Sequence, residues 1–168
     1  MTAMKRVVIL GPGASGKSLL ATRLGKITGL PVIELDKIFW QPGLIATPPK
    51  EWIEVQQRLV QNDEWIMDGD LGPYDATEAR LRAADTVIFL DFSVIRCAWR
   101  AIRRSREQAD FWRWLLRYRV ESRPRLMNAI ARHSKGAKLF TLRNPGAVQR
   151  FIAEAIADHP PAAPQSGT

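Results

Sequence analysis

The sequence predicts an α/β domain in which one parallel sheet is covered by helices on both faces. Five short runs of β-forming residues alternate with stretches of helical periodicity, which is the pattern of successive strand–helix–strand crossovers. The runs are almost continuously apolar, as expected of strands that are buried on both sides. The predicted strands cover 6–10, 31–35, 65–67, 86–90 and 137–142.

The predicted helices carry recognisable start and stop signals. A helix over 17–28 should end at Gly29, and the prolines that precede Lys50 should open the next helix. The other helices are predicted over 49–61, 77–83, 94–105, part of 111–121, 125–133 and 147–157. Right-handed crossovers then give a single doubly wound domain over 1–158, with a disordered tail over 159–168.

The composition excludes several classes of protein. With 46% hydrophobic and 25% charged residues, the chain is neither wholly disordered nor a disulfide scaffold. Its one cysteine, Cys97, cannot form an internal disulfide, which fits a reducing compartment. No apolar run approaches the roughly 18 residues that a membrane span needs. We therefore expect a cytoplasmic protein with no membrane partner.

The net charge of +8 is concentrated in one segment of the chain. Eleven arginines, no lysine and three acidic residues lie between Arg96 and Arg132, and the rest of the chain is balanced. The exclusive use of arginine favours bidentate binding of oxyanions. We expect an anionic partner, which would carry phosphates or be a nucleic acid.

The strongest local signal is GPGASGKS at 11–18, which fits the phosphate-loop pattern G-x-x-x-x-G-K-[ST]. It follows a predicted strand and opens a helix, where backbone amides and the helix N-terminus bind phosphates. Lys17 should reach the β- and γ-phosphates of a nucleotide, and the Ser18 hydroxyl should bind Mg²⁺. The predicted phosphate-binding residues are Gly11, Gly13, Ala14, Ser15, Gly16, Lys17 and Ser18.

Acidic residues follow three of the predicted strands, at the sheet edge where ligands of such folds bind. Glu34 and Asp36 are two residues apart, so on an extended chain their side chains should point to the same side. Asp68 follows the next predicted strand. We expect Asp68 and Glu34 to join Ser18 on the metal side of a Mg·ATP site. Asp36 should orient an attacking hydroxyl group. Capping of the following turn is the alternative role for these acids and the favoured one for Asp91.

Residues 94–134 are predicted to form a helical lid rich in arginine. Arg100, Arg103 and Arg104 fall on one arc of a helix, apart from its apolar residues, and should neutralise a transferred phosphoryl group. A solvated basic face is the alternative. The aromatic residues between 111 and 118 fit the apolar side of an amphipathic helix better than a surface that stacks nucleobases.

Two roles remain open for Arg143 and Asn144, which follow the last predicted strand. They could lie against the adenine of a nucleotide. Alternatively, this is a plain strand-to-helix connection in which Asn144 is the N-cap and Pro145 takes the first helical position.

The order of the motifs is similar to that of a known family. GPGASGKS, PVIELD, WIMDGD and TVIFLDF, followed by the arginine-rich helix, resemble the bacterial adenylate-kinase-like P-loop proteins often labelled DNA topology modulation proteins. The resemblance spans about residues 4–157. It implies a three-layer P-loop NTPase fold with a five-stranded parallel sheet and a lid, as in small nucleoside and nucleotide kinases. It also implies ATP and Mg²⁺ as ligands.

The resemblance carries over to individual residues. Asp68 resembles the aspartate of the Asp-Gly pair that supports the water shell of the metal in adenylate kinases. Asp36 is similar in position to the aspartate that contacts the acceptor hydroxyl in shikimate- and gluconate-kinase-like enzymes. Arg80 is expected to be a second acceptor-binding group. Asp-Leu-Gly at 70–72 stands where adenylate kinases carry Phe-Pro-Arg, so strict adenylate kinase activity is not expected.

The sequence therefore predicts a kinase-like protein that moves the γ-phosphoryl group of ATP to a small nucleoside, nucleotide or hydroxyl acceptor. The alternative is a nucleic-acid-associated ATPase or regulator of DNA topology that binds the phosphate backbone through 96–132. No helix-turn-helix, zinc-finger or RRM signature accompanies that alternative. A nucleotide-binding module without turnover is the third interpretation.

Overall fold

The computed structural model describes residues 4–71, 75–93, 97–98 and 117–159. Along the chain the helices and strands are β1 (Arg6–Leu10), α1 (Lys17–Thr28), β2 (Val32–Glu34), α2 (Leu35–Phe39), β3 (Trp40–Gln41), β4 (Ile45–Ala46), α3 (Pro49–Leu59), β5 (Trp65–Asp68), α4 (Glu78–Ala83), β6 (Thr86–Leu90), α5 (Ser122–His133), β7 (Lys138–Leu142) and α6 (Pro145–Asp158).

Five of the strands form one parallel sheet in the order β2-β5-β1-β6-β7. Alternate residues of its central strands point to opposite faces, so the sheet separates two apolar cores. Val8 and Leu10 of β1 belong to the core that also contains residues of α2, α3, α4 and α5. Val7 and Ile9 belong to the other core, which is closed by α1 and α6. The prediction of a parallel sheet covered on both faces is confirmed.

Most of the predicted element boundaries agree with the structure because the capping residues act as expected. The backbone at Gly29 takes the left-handed conformation, with φ of 76°, and closes α1. Pro49 takes an N-terminal position of α3, as Pro145 does in α6. The Asn144 side chain accepts a hydrogen bond from the Ala147 amide at 2.9 Å. Asn144 is therefore the N-cap of α6, as one of its two interpretations predicted.

The prediction was wrong at the second strand, where the chain leaves the sheet earlier than expected. β2 ends at Glu34, and the apolar pair Leu35 and Phe39 lies on the buried side of the short helix α2. Asp36 is therefore a residue of the first helical turn, and it does not alternate with Glu34 along an extended chain. The small antiparallel hairpin β3–β4 that follows was not predicted.

Several predictions lie on residues that the structure does not describe. Among these are most of the helix predicted over 94–105, most of 111–121 and the candidate lid residues Arg100, Arg103 and Arg104. The single domain over 1–158, its lid and the tail beyond it stay predictions. In the described part of the chain, every helix is too short or too polar to cross a membrane.

Candidate active site

The phosphate loop crosses the carboxyl end of the sheet between β1 and α1. Its backbone enters the left-handed region at Ala14, with φ of 57°, and at Gly16, with φ of 98°. Gly11 lies tightly against the end of β6, because a Cβ atom there would come within 2.7 Å of the Leu90 carbonyl oxygen. The glycines thus let the loop turn sharply while it stays close to the sheet.

Lys17 folds its side chain back over this loop. Its Nζ donates hydrogen bonds to the carbonyl oxygens of Gly11 at 3.0 Å and Pro12 at 3.1 Å. The ammonium group is therefore held at the mouth of the loop, next to the N-terminus of α1. Both the ammonium and the partial positive charge of the helix end attract an anion.

Ser18 and Asp68 form a polar contact within the electrostatic reach of Lys17. The Ser18 side chain hydrogen-bonds to the Asp68 carboxylate at the end of β5. Asp68 is buried, and its Oδ1 has no hydrogen-bond partner among the residues that the structure describes. Burial raises the pKa of Asp68, against the opposing effects of the Ser18 hydrogen bond and the Lys17 charge. A buried carboxylate oxygen without a partner is a candidate contact for a cation or a bound water.

Asp36 belongs to the same cleft although α2 carries it. Loss of hydration raises the pKa of the Asp36 carboxyl, and the charges of Lys17 and Asp68 also act on it. The residue as a whole remains exposed, so the carboxyl group is only partly shielded from solvent. The structure thus brings Lys17, Ser18, Asp36 and Asp68 to one edge of the sheet.

Glu34, predicted on the metal side, makes a different contact. It is in register with Asp68 across β2 and β5. Its carboxylate, however, pairs with Lys37 Nζ at 2.7 Å, one turn along α2. Lys37 would therefore compete with a metal ion for the Glu34 carboxylate.

The prediction that Arg80 binds an acceptor directly is wrong, because the side chain is fully buried. Its Nη1 donates to Gln56 Oε1 at 2.7 Å and to Asp75 Oδ1 at 2.8 Å. Its Nη2 donates to the Gly69 carbonyl oxygen at 3.0 Å and to Asp75 Oδ2 at 2.5 Å. Arg80, a residue of α4, therefore joins α3 to the turn that begins at Gly69, the residue after Asp68.

Asp91 was expected to cap a turn, and the structure gives it another role. Its two carboxylate oxygens accept hydrogen bonds from Arg123 Nε at 2.8 Å and Nη2 at 2.9 Å. Arg143 Nε lies 3.8 Å from Asp91 Oδ2. The Arg123 hydrogen bonds lower the pKa of Asp91, and the same contact raises the pKa of Arg123. This cluster ties the start of α5 to the ends of β6 and β7, a pairing that sequence spacing does not reveal.

A cavity of about 90 Å³ lies beside the phosphate loop, between α1 and α6. Its lining includes Ser15 and Gly16 of the loop, Leu20 of α1, and Pro145 and Val148 of α6. The mixture of backbone and apolar side chains suits a flat, partly apolar group attached to a phosphate chain. The adenine contacts of Arg143 and Asn144 stay predictions, since no contact of this structure tests them.

The described part of the basic segment is mostly solvated. Arg117, Arg119, Arg125 and Arg132 are exposed, whereas Tyr118 is buried among apolar residues of the core. Burial raises the pKa of the Tyr118 hydroxyl. Tyr118 lies in a turn, and its burial fits a packing role for this residue. The interpretation of the aromatic residues as the apolar side of a helix stays a prediction, because the others lie outside the described residues.

The residues at the sheet edge fit a magnesium ion that is bound together with phosphates. Within the described ranges, no three His, Cys, Asp or Glu side chains are grouped so that they could hold a metal. Mg²⁺ commonly takes only one or two protein oxygens and completes its octahedron with waters and substrate phosphates. Ser18 and the unpartnered oxygen of Asp68 satisfy that smaller requirement.

Comparison with solved structures identifies the fold. Shikimate kinase from Acinetobacter baumannii in complex with shikimate matches with a TM-score of 0.61 and 18% identity, covering 91% of each chain. A gluconokinase from Sinorhizobium meliloti matches with a TM-score of 0.56 and 15% identity, covering 94% of this chain and 92% of its own. A sugar kinase from Janibacter sp. matches with a TM-score of 0.53 and 19% identity, covering 95% and 97%.

These likenesses, together with the phosphate loop at the sheet edge, define the class: the protein has the α/β fold of P-loop kinases. No protein-family model and no curated protein sequence matches the chain. The predicted fold is confirmed, whereas membership of the topology modulation family stays a prediction.

Proposed function

We propose that the protein is a kinase that uses ATP and Mg²⁺ to phosphorylate a hydroxyl group of a small molecule. The observation that carries this proposal is the contact between Ser18 and the buried Asp68, next to Lys17 and within electrostatic reach of Asp36. A loop that only binds a nucleotide does not require a second carboxylate on the acceptor side of the cleft. The names of the similar structures, which are all kinases, also favour phosphoryl transfer.

Each group has a distinct task in this proposal. The Lys17 ammonium leaves the Gly11 and Pro12 carbonyl oxygens and binds the β- and γ-phosphates, which carry more negative charge. Ser18 and Asp68 would hold the metal, Ser18 through its hydroxyl oxygen and Asp68 through water bound to the metal. Mg²⁺, when bound, supplies positive charge to the phosphates.

Asp36 acts on the acceptor. Its carboxylate accepts a hydrogen bond from the attacking hydroxyl and points the oxygen at the γ-phosphorus. As the new P–O bond forms and the bond to the ADP oxygen breaks, the hydroxyl proton passes to Asp36. The raised pKa of Asp36 makes the carboxylate a stronger proton acceptor for this step. In the proposal, the lid residues Arg100, Arg103 and Arg104 stabilise the transferred group.

The test is ADP formation from Mg·ATP in the presence of a broad library of small hydroxyl compounds. We expect at least one compound to raise ADP formation above the acceptor-free rate and to gain a phosphoryl group, detected by mass spectrometry. Lys17→Met should lower that rate by roughly 10²- to 10³-fold, because one charge that stabilises the transition state is lost. Lys26→Met is the matched control, since Lys26 is exposed in the last turn of the same helix.

Two results would contradict the proposal. One is that no compound raises ADP formation although ATP binds. The other is that Lys17→Met and Lys26→Met have the same rate as the unmodified protein.

A further inference from the structure

We propose that Trp40 is a substrate-binding residue and that the acceptor is a cyclic alcohol. The ring of the acceptor packs against the Trp40 indole while one of its hydroxyl groups lies at Asp36. This inference rests on the proposed kinase function and narrows its substrate class to compounds with a ring, as opposed to open-chain polyols. It follows from where α2 and the hairpin β3–β4 place an exposed tryptophan relative to the candidate acceptor base.

The start of α2 lies at the carboxyl end of the sheet, beside the proposed metal site. Glu34, the last residue of β2, is in register with Asp68, and α2 begins at the next residue. Leu35 packs so closely on Gly69 that a Cβ atom added to the glycine would lie 2.9 Å from the Leu35 Cβ. Asp36, which follows Leu35, is therefore held close to the end of β5.

Trp40 lies one helical turn beyond Asp36 on the same side of α2. Its backbone amide donates a hydrogen bond to the Asp36 carbonyl oxygen. On a helix, residues four apart are neighbours, with Cβ atoms about 5–6 Å from each other. Leu35 and Phe39 form the adjacent, buried side of the helix, whereas Asp36 and Trp40 are both exposed. A carboxylate and an indole thus lie side by side at the surface.

The indole is supported by its neighbours and remains partly exposed. Trp40 pairs with Ala46 across the hairpin, so the two side chains are on the same face, and Ala46 packs against the core. The Trp40 ring meets the Phe39 ring at a steep angle, with centroids 4.9 Å apart, and Phe39 meets Trp52 in the same way at 5.2 Å. Trp40 is nevertheless 40% exposed. Such an aromatic surface, already ordered by its neighbours, binds a ligand at little cost in conformational entropy.

The spacing of the two side chains favours a ring. With about 5–6 Å between the Cβ atoms of Asp36 and Trp40, a sugar-sized ring can lie on the indole and bring an attached hydroxyl group to the carboxylate. The apolar face of the ring gains the contact with the indole, while its hydroxyl groups stay available for hydrogen bonds. An open-chain polyol must give up internal rotations to make both contacts, which weakens its binding. Cyclic acceptors should therefore be preferred.

The experiment compares cyclic acceptors with open-chain acceptors of similar composition. The pairs include myo-inositol with D-glucitol, 1,5-anhydro-D-glucitol with D-glucitol, and methyl β-D-ribofuranoside with ribitol. For each compound, kcat/KM is measured from ADP formation with Mg·ATP. We expect the best acceptor to be cyclic and to exceed its open-chain counterpart by about tenfold or more. An open-chain compound as the best acceptor would overturn the inference and leave the kinase function intact.

Variants of Trp40 test the contact itself. Trp40→Ala should raise the KM for the best cyclic acceptor by roughly tenfold, as expected for the loss of one stacked aromatic ring. Trp40→Phe should keep this KM within about threefold, because a smaller ring remains. Neither variant should change the KM for Mg·ATP. Ile156→Ala is the control, since it removes an exposed apolar side chain from α6, on the other face of the sheet. An unaltered acceptor KM in Trp40→Ala would overturn the inference.

Two physical measurements separate substrate binding from other roles of Trp40. The best cyclic acceptor, added with a non-hydrolysable ATP analogue and Mg²⁺, should change the tryptophan fluorescence of the unmodified protein, and this change should be smaller in Trp40→Phe. An equal change in both proteins would contradict the contact. If sedimentation shows that Trp40→Ala converts a dimer into a monomer, the indole belongs to an interface between two copies and the inference is overturned. If no compound is phosphorylated while ATP still binds, both the kinase function and this inference fail.

Discussion

Replacement of Asp75 by asparagine should destabilise the protein strongly, because it leaves the Arg80 guanidinium buried without a counter-charge. The two side chains are almost completely excluded from solvent, at 0% for Arg80 and 2% for Asp75. Asparagine keeps the shape of the site and one acceptor oxygen. It loses the second acceptor, which receives the hydrogen bond from Nη2 at 2.5 Å.

The size of the effect follows from the burial of the pair. Breaking a buried ion pair by removing one partner costs roughly 3–5 kcal/mol of the free energy of unfolding. In a domain of 150–250 residues, 1 kcal/mol corresponds to about 2–4 °C in Tm. We therefore expect Asp75→Asn to lower Tm by roughly 6–20 °C.

Urea denaturation at pH 7, followed by circular dichroism, measures this loss directly. Glu121→Gln is the control, because Glu121 pairs with Arg117 at 3.7 Å while their side chains are 58% and 65% exposed. Such an exposed pair contributes at most about 1 kcal/mol. If Asp75→Asn changed the free energy of unfolding by no more than the control does, the view of Arg80 as a buried charge held by Asp75 would be refuted.

Three further predictions concern the elements around the site, and urea denaturation measures all of them. Asn144→Ala should lower the free energy of unfolding by about 1 kcal/mol, because the N-cap hydrogen bond of α6 is lost; an unchanged value would contradict this. Gly69→Ala should cost roughly 1–3 kcal/mol, since its φ is 150° and a Cβ would lie 2.9 Å from Leu35 Cβ; equal stability would exclude this crowding. The pKa of Asp91 in the folded protein lies below the ordinary carboxyl pKa of 3.8. Its pairing with Arg123 therefore stabilises the fold fully above pH 3.8, and this stabilisation is lost as the pH falls through the pKa of the folded state. The stability difference between the unmodified protein and Asp91→Asn should therefore shrink between pH 6 and pH 3, and a constant difference would argue against this linkage.

The elements with strong local signals could be predicted from the sequence. The strands at 6–10 and 86–90 and the helix at 17–28 have the predicted boundaries. Four of the five residues of each strand are apolar, and the helix begins within the phosphate-loop pattern and is followed by a glycine. The position of Lys17 and Ser18 at the sheet edge follows from this order of strand, loop and helix.

The side-chain partners could not be predicted, because they depend on contacts between distant parts of the chain. From the sequence, Arg80 was predicted to be free to bind an acceptor. Only the folded structure shows that Gln56 and Asp75 take its hydrogen bonds. Asp91 and Arg123 are 32 residues apart in the sequence. Asp36 was assigned to an extended chain because a helix of five residues, such as α2, is too short for its periodicity to be recognised.

Titration of the protein with Mg·ATP in a calorimeter tests the central claim, which is that residues 11–18 bind a nucleotide triphosphate. We predict saturable binding with one site per chain. Lys17→Met should weaken it, and Lys26→Met should not. The absence of any saturable heat at millimolar ATP or GTP, in protein shown to be folded by circular dichroism, would contradict the account.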